Sequence, residues 1–267
     1  IEFYRLAEMP ILLAIPLSLG AQQLLPPQPD TQTINVATDP LLRGFRWRSI
    51  GPIGQGGRVD DIAVAPNNAS VYYVGFATGG IWKTVNNGTT FTPIFDTYTT
   101  HSIGDIAIAP SNADILYVGT GEPNNRQSSS FGDGMYKSTD GGKTFTQIGL
   151  RETQSIARVL VHPTNPDVVW VAAVGHLFGA NPERGVYMTT DGGRTWSRTL
   201  TVDANTGATA LIIHPTNPDI LFAATYTRRR TAWGFAAGGP GAGIWKSTNG
   251  GRNWSRVTGG GLPGGTM

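Results

Sequence analysis

The sequence of 267 residues contains no cysteine, and charged residues make up only 14% of it. Without cysteine the chain has no disulfide bonds, no thiolate metal ligands and no cysteine nucleophile. The scarcity of Glu and Lys disfavours long helices that face solvent. With 20 basic and 18 acidic residues the net charge is only +2, and the basic residues form no long run. Nucleic acid is therefore not an expected partner.

The sequence also lacks an apolar run at its start that is long enough to span a bilayer. The apolar run Pro10–Leu19 has ten residues, and the small residues Gly20 and Ala21 follow it. This pattern predicts a signal peptide over residues 1–21 and a mature chain that has no transmembrane span. We therefore expect a secreted or periplasmic protein, with a Pro-rich linker at residues 22–42 and a folded domain at 43–267.

Glycine, proline and hydrophobic residues are plentiful. The chain has 36 Gly and 18 Pro, and 39% of its residues are hydrophobic. This composition favours many short strands joined by tight turns over disorder. Two markers recur in step, four times each. One is a Pro-x-Asn turn at 66–68, 110–112, 163–165 and 215–217, and the other is a Ser/Thr-x-Asp/Asn-x-Gly segment whose third position falls at 86, 140, 191 and 249.

We call the segments of the second marker the signature turns. Each has an Asp or Asn that can accept backbone N–H bonds within the turn, and glycines that take positive φ without steric cost. An aromatic residue follows and is expected to cover the turn. The structural residues predicted in this way are Asn86, Asp140, Asp191 and Asn249, with Phe91, Phe145, Trp196 and Trp254. Each repeat of about fifty residues also predicts four short strands, which indicates an all-β fold, a β-propeller of four-stranded antiparallel blades.

The signature turns resemble the Asp box, S-x-D-x-G-x-T-W, of sialidases, xyloglucanases and sortilin-type propellers. The stretches Gly79–Thr84 and Gly134–Gly142 are similar to bacterial exported proteins of the sortilin/BNR-repeat group. The resemblance covers roughly residues 45–257 and implies Asp-box hairpins in every blade. Because such propellers usually close with six or more blades, it also implies that the four blades are an open fragment of a larger ring, with further blades C-terminal to them.

Strand alternation places the Pro-x-Asn turns and the signature turns on one rim of the propeller and the loops between second and third strands on the other. We call these the turn rim and the loop rim. The turn rim is nearly uniform, whereas the loops of the loop rim vary from Ala77–Gly80 to Gly121–Gly134, Gly175–Gly185 and Thr227–Gly243. Variable loops favour recognition. The predicted ligand-binding residues lie on them: Asn124, Asn125, Arg126, His176, Arg184, Arg228, Arg229, Arg230 and Trp233.

Arginine clusters bind carboxylates, and Trp offers a flat face to sugars or cations. The first hypothesis is therefore an exported propeller that binds a protein, peptide or glycan through the loop rim. Replacing Arg228–Arg230 by Ala is then expected to weaken an acidic or glycan ligand and to cost no more than about 1 kcal/mol of stability. One alternative is a structural subunit of an envelope assembly.

A second alternative is a glycoside hydrolase of sialidase or xyloglucanase type, with part of its active site outside this chain. Such an enzyme needs two carboxyl groups across the scissile bond. The weak candidates are Glu122 and Asp133. The resemblance to xyloglucanases places a catalytic Asp two residues before a Gly-Gly pair, where this chain has Ala77. His162 and His214 occupy equivalent turn positions in their repeats, which favours a structural role, so no metal and no cofactor are expected.

Overall fold

The computed structural model describes residues 57–124 and 129–259. The predicted signal peptide and linker lie outside these residues, as do the predicted site residues Asn125 and Arg126. The described part of the chain has no α-helix, and none of its segments forms a helix able to cross a membrane. A short 3-10 turn, Arg151–Thr153, precedes the third repeat.

The described residues form four antiparallel sheets, one for each repeat, and each sheet is a meander of consecutive strands. Their order confirms the predicted β-propeller with four-stranded blades. Blade one contains β1 (Val59–Val64), β2 (Tyr72–Phe76), β3 (Gly80–Thr84) and β4 (Thr92–Pro93). Blade two contains β5 (Ile103–Ala109), β6 (Asn112–Thr120), β7 (Met135–Ser138) and β8 (Thr146–Gln147). Blade three contains β9 (Ile156–Val161), β10 (Val169–Ala173), β11 (Gly185–Thr189) and β12 (Ser197–Leu200).

Blade four departs from the pattern by one strand. It contains β13 (Thr206–Ile213), β14 (Leu221–Arg230), β16 (Gly243–Ser247) and β17 (Ser255–Arg256), and the additional strand β15 (Phe235–Ala237) pairs with the end of β14. The β14–β15 pair is a hairpin that extends beyond the blade on the loop rim, because β14 continues for five residues past its last partner in β16. We call it the β14–β15 hairpin.

The four signature turns share one hydrogen-bond pattern. In each turn the Ser or Thr hydroxyl donates to the Asp or Asn side-chain oxygen two residues later, at 2.7–3.0 Å. The same oxygen accepts a backbone N–H four residues further along, at 2.9–3.0 Å. Side-chain acceptors that satisfy turn amides explain why the marker recurs with this spacing.

The signature turns also join neighbouring blades. The Tyr73 hydroxyl in β2 donates to the Gly141 carbonyl in the next blade, at 3.0 Å, and the indole N–H of Trp170 in β10 donates to the Gly250 carbonyl, at 2.9 Å. These aromatic side chains are almost fully buried in apolar clusters that lie between successive blades. Burial of aromatic and β-branched side chains between the sheets is therefore the main stabilising contribution to the propeller.

The inner strands β1, β5, β9 and β13 pack against one another in that order. The outer flanks of the series are exposed to solvent and are apolar, with Ile62 and Val64 on blade one and Ile212 on blade four. This exposure agrees with the predicted open arc.

Candidate functional site

Three long loops of the loop rim are joined to one another by hydrogen bonds. Arg228, at the end of β14, donates to the carbonyls of Pro123 and Asn124 in the blade-two loop, at 2.6 and 2.7 Å, and to the Ser129 hydroxyl, at 3.1 Å. The backbone N–H of Arg230 donates to the Leu177 carbonyl of the blade-three loop, at 2.8 Å. The β14–β15 hairpin is thereby fixed to the loops of blades two and three.

Two of the predicted ligand-binding arginines are buried and donate hydrogen bonds to loop backbone. Arg228 is only 2% exposed and Arg184 only 1% exposed. Arg184 donates to the Val174 carbonyl, at 2.7 Å, and to the His176 carbonyl. Burial, followed by the charge of Arg228, lowers the pKa of Arg184 to about 10. Both side chains hold loop backbone in place, and their assignment as ligand-binding residues stays a prediction.

The remaining predicted residues have different surroundings. The His176 ring nitrogen Nε2 lies 2.7 Å from the Glu152 carbonyl, so this side chain also contributes to loop structure. Trp233, at the tip of the β14–β15 hairpin, is 90% exposed, and Arg229, four residues earlier, is also exposed. The Arg230 guanidinium lies over the Phe235 ring, 5.8 Å from its centroid.

Phe178, from the blade-three loop, pairs with Arg230 through an isolated bridge and is 61% exposed. The bridge and the Arg230–Phe235 contact bring these three residues together, and with Trp233 at the tip of the same hairpin we call them the aromatic–arginine patch. Arg229 points to the opposite face of β14 and is not part of it. Trp and Arg are the residue types most enriched at binding hot spots. Phe178 was missed from the sequence, because a single Phe in a Gly-rich loop carries no signal until the bridge to β14 is known.

A cavity of about 640 Å³ lies at the centre of the propeller, next to the blade-two loop, and residues of all four inner strands line it. Each inner strand has a β-bulge at the same position, and the four bulged residues Asp60, Gly104, Ala157 and Thr209 lie in the wall. We call it the axial cavity. A volume of this size is typical of sites for small molecules.

The residue after each bulge also lies on the inner strand, and in blades one and two it is an aspartate. Asp61 Oδ2 accepts the backbone N–H of Ile106, at 2.9 Å, and Asp105 Oδ2 accepts that of Val159, at 2.7 Å. Each aspartate therefore bonds its own blade to the next one. Arg158 occupies the equivalent position in blade three and forms an ion pair with Asp105, at 3.1 Å.

The pKa values of two aspartates in the cavity wall are raised. Burial, reinforced by the charge of Glu122, raises the pKa of Asp60 to about 6. Burial, followed by the charge of Asp61, raises the pKa of Asp105 to about 7. The acids were missed from the sequence. A recurring motif could have indicated them, since Asp-Ile-Ala is found at 61–63 and 105–107. These residues were interpreted only as parts of predicted strands.

The predicted acid pair, Glu122 and Asp133, belongs to two separate networks. Glu122 is fully buried and forms an ion pair with Arg58. Asp133 Oδ2 accepts from the Thr99 hydroxyl and from the Tyr136 hydroxyl, the latter at 2.8 Å. Each carboxyl group therefore has its own structural partners.

The histidines and other potential metal ligands do not gather in the described part of the chain. No group of three or more His, Asp or Glu side chains there is placed to hold a metal ion. The His162 and His214 rings accept backbone N–H groups within their own turns, at 3.2 and 3.3 Å. This matches the structural role expected from their repeat positions.

Comparison with known protein families indicates the same repeat architecture. A family model described as Sortilin, neurotensin receptor 3 (Sortilin-Vps10) matches residues 133–260, just under half of the chain. The chain has a β-propeller fold, and these residues match a sortilin-type propeller family. No curated protein matches the sequence.

Several solved structures share the propeller fold. An ancestral GH74 enzyme superposes with a TM-score of 0.58 at 24% identity, over 80% of this chain and 25% of the enzyme. A GH74 enzyme of Niastella koreensis superposes with a TM-score of 0.53 at 24% identity, over 73% of this chain and 28% of the enzyme. The GH74 xyloglucanase of Xanthomonas campestris superposes with a TM-score of 0.56 at 17% identity, over 82% of this chain and 32% of the enzyme. The chain spans a quarter to a third of these enzymes, and at such identities the likeness establishes the fold alone.

Proposed function

We propose that this propeller is an exported binding module that recognises a glycan through its loop rim. The observation that carries the proposal is the aromatic–arginine patch, in which Trp233 is 90% exposed on a hairpin fixed to two other loops. An exposed indole normally costs solvation free energy and, when it is held on a rigid support, offers a flat face at little entropic cost.

The chemistry of the patch fits a sugar polymer. Trp and Phe faces stack against the C–H faces of pyranose rings, and Arg230 supplies several N–H donors for hydroxyl or carboxylate oxygens. The axial cavity adds acceptors and donors close to the blade-two loop to which the hairpin is bonded.

An acidic peptide is the second candidate ligand, favoured by the cluster of positive charge near the patch. Arg184 lies within electrostatic range of both Arg228 and Arg229. A positive surface potential attracts acidic segments and accelerates their association. A peptide ligand would depend more on Arg229 and on ionic strength than on the Trp233 face.

A paired array separates the two ligands. The purified chain is tested against immobilised neutral and acidic glycans and against acidic peptides, in 50 and 300 mM salt. For a glycan ligand we expect Trp233→Ala to weaken binding about tenfold or more at both salt concentrations. The control is Val85→Ala, a change at an exposed apolar residue of the turn rim. Equal binding by Trp233→Ala and the control would contradict the assignment of the patch.

A separate experiment tests the hydrolase alternative, whose two candidate acids, Glu122 and Asp133, belong to different networks of hydrogen bonds and ion pairs. Incubation of any bound glycan with the chain, followed by analysis of reducing ends, would detect cleavage. We expect binding without an increase in reducing ends. Cleavage that Asp133→Asn abolishes would instead support the hydrolase alternative.

Export is part of the proposal. It rests on the sequence of residues 1–21 and agrees with the sortilin-type family match. We expect the mature protein in the periplasmic or extracellular fraction, with an N-terminus near Gln22. Mass spectrometry of the N-terminal peptide from fractionated cells checks the cleavage site, and an intact N-terminus in the cytoplasmic fraction would contradict it.

A further inference from the structure

The β14–β15 hairpin ends in an uncovered strand edge. Strand β15 (Phe235–Ala237) pairs with β14 on one side, in an antiparallel register that sets Ala236 opposite Arg229. On its other side it pairs with no strand among residues 57–124 and 129–259, and all three of its residues are exposed to solvent. The outer side of β15 is therefore a free strand edge within the described part of the chain.

Two backbone hydrogen bonds show which groups of β15 point toward β14. The N–H of Gly238 donates to the Thr227 carbonyl, and the N–H of Thr231 donates to the Gly234 carbonyl, both at 2.9 Å. Both bonds continue the register of the hairpin, in which hydrogen-bonded positions occur at every second residue. Ala236 lies midway between Gly234 and Gly238, and it therefore turns its own N–H and C=O toward β14.

The backbone groups on either side of Ala236 point away from β14. These are the N–H and C=O groups of Phe235 and Ala237, which form no backbone hydrogen bond within the described residues. On the opposite side of β14, the N–H of Arg230 already donates to the Leu177 carbonyl, at 2.8 Å. Strand β15 also has no charged residue, proline or bulge of the kind that usually protects an edge. Its outer edge is thus the place where the hairpin can accept another strand.

The two faces of the hairpin differ in chemistry. On one face Phe235 lies opposite Arg230, whose guanidinium carbon is 5.8 Å from the ring centroid. On the other face the exposed Arg229 lies opposite Ala236, and the short alanine side chain leaves the way to the edge open. A strand added beside β15 would lie two strand spacings from β14, about 10 Å, which Arg229 and an acidic side chain can span together. The first face therefore suits apolar side chains, and the second suits acidic ones.

The charge of the hairpin disfavours pairing with a second copy. Residues 227–243 include three arginines and no acidic residue. Two such hairpins paired edge to edge would bring their arginines together, and like charges on neighbouring strands destabilise a sheet. A strand with acidic residues is complementary to this charge instead.

We propose that the outer edge of β15 binds an extended peptide in which acidic and apolar residues alternate, so that the peptide adds a strand to the hairpin. Main-chain hydrogen bonds to Phe235 and Ala237 supply affinity, and the alternation places acids on the Arg229 face and apolar side chains on the Phe235 face. The inference develops the acidic-peptide candidate and does not rest on the proposed glycan binding, which depends on the Trp233 face.

The first test uses fluorescence anisotropy with the whole chain and a fluorescein-labelled peptide of eight alternating Glu and Val residues. We expect this peptide to bind at least tenfold more tightly than a peptide of alternating Lys and Val. Two further forms carry N-methyl groups on all Glu residues or on all Val residues. Only one of these two forms should bind, because only one set of amides faces β15 in an added strand.

The second test changes the edge itself, with Ala237→Pro and the matched control Ala237→Val. Proline removes the outward N–H of this residue, and an edge strand tolerates proline where the N–H faces solvent, so the hairpin should remain paired with β14. We expect Ala237→Pro to weaken binding of the Glu–Val peptide at least tenfold and Ala237→Val to change it less than threefold. The N-methylated peptides test the same hydrogen bonds in the unchanged protein, should Ala237→Pro fail to fold.

The outcomes separate this inference from the proposed function. Binding of the Glu–Val peptide that one set of N-methyl groups removes and Trp233→Ala retains supports the added strand, even if the glycan array is negative. Equal binding of the two N-methylated forms, or no binding of the Glu–Val peptide, overturns the added strand and leaves glycan binding through Trp233 standing. Self-association of the unchanged chain that Ala237→Pro abolishes also overturns it, because the edge would then bind a second copy.

Discussion

Replacing Arg228 by Ala should destabilise the propeller far more than replacing its neighbour Arg229. Arg228 makes three hydrogen bonds to the blade-two loop, at 2.6, 2.7 and 3.1 Å, and is 2% exposed. Hydrogen bonds from a charged donor contribute about 1.5–3 kcal/mol each. Two of the three share one nitrogen, so their contributions are not additive, and we expect a loss of about 3–5 kcal/mol. This revises the sequence-based expectation of no more than about 1 kcal/mol.

The assay is urea denaturation, monitored by tryptophan fluorescence, with a thermal scan in parallel. For a domain of this size the loss corresponds to a fall of at least about 6 °C in the unfolding midpoint. Arg229→Ala removes the same side chain from an exposed position of the same strand, and we expect it to change stability by less than about 0.5 kcal/mol. If the two variants unfold at the same midpoint, the bonds to Pro123 and Asn124 do not stabilise the fold, and the reasoning is refuted.

Three further changes test the blade contacts. Because the pKa of Asp105 is raised to about 7, its ionisation opposes folding, so the free energy of unfolding should fall between about pH 4 and 7, by at most about 4 kcal/mol. Asp105→Asn should flatten this slope in urea titrations at several pH values; an unchanged slope would show that Arg158 keeps the carboxylate ionised throughout. Gly104→Ala places a Cβ 2.0 Å from the Ile156 carbonyl oxygen and should lower the free energy of unfolding by about 2–3 kcal/mol in the same urea titration. Stability equal to that of the wild type would contradict this close approach. Trp170→Phe removes a buried N–H donor and should lower the thermal midpoint by the equivalent of about 1–3 kcal/mol, while a shift below about 0.5 kcal/mol would contradict this.

The fold was predictable because the same physical solution is repeated in each blade. The turn made by Asp191 and Thr189 satisfies its amides from within, so a local pattern of residues is enough to specify the hairpin. Identical local solutions at a spacing of about fifty residues then require identical blades. The long-range bonds, such as that from Trp170 to Gly250, follow from stacking those blades and needed no separate prediction.

The candidate site was only partly predictable, because it depends on contacts between blades that sequence spacing does not encode. Arg228 and Arg229 are adjacent and chemically identical, yet one is buried and the other exposed. Successive side chains of a strand point to opposite faces, so strand prediction alone states that the two differ but not which one is buried. That choice depends on the blade-two loop, which lies more than a hundred residues away in sequence.

The β-bulges account for why the cavity acids escaped prediction. In a regular strand Asp60 and Asp61 would point to opposite faces, and one of them would be assigned to solvent. The bulge at Asp60 inserts an unpaired residue, which lets both aspartates line the axial cavity. Since Thr209 occupies the same bulge in blade four, the position is structural and its side chain is free to vary from blade to blade. An acid at such a position in blade one is therefore not required by the repeat, which is why the pattern of the repeats could not predict it.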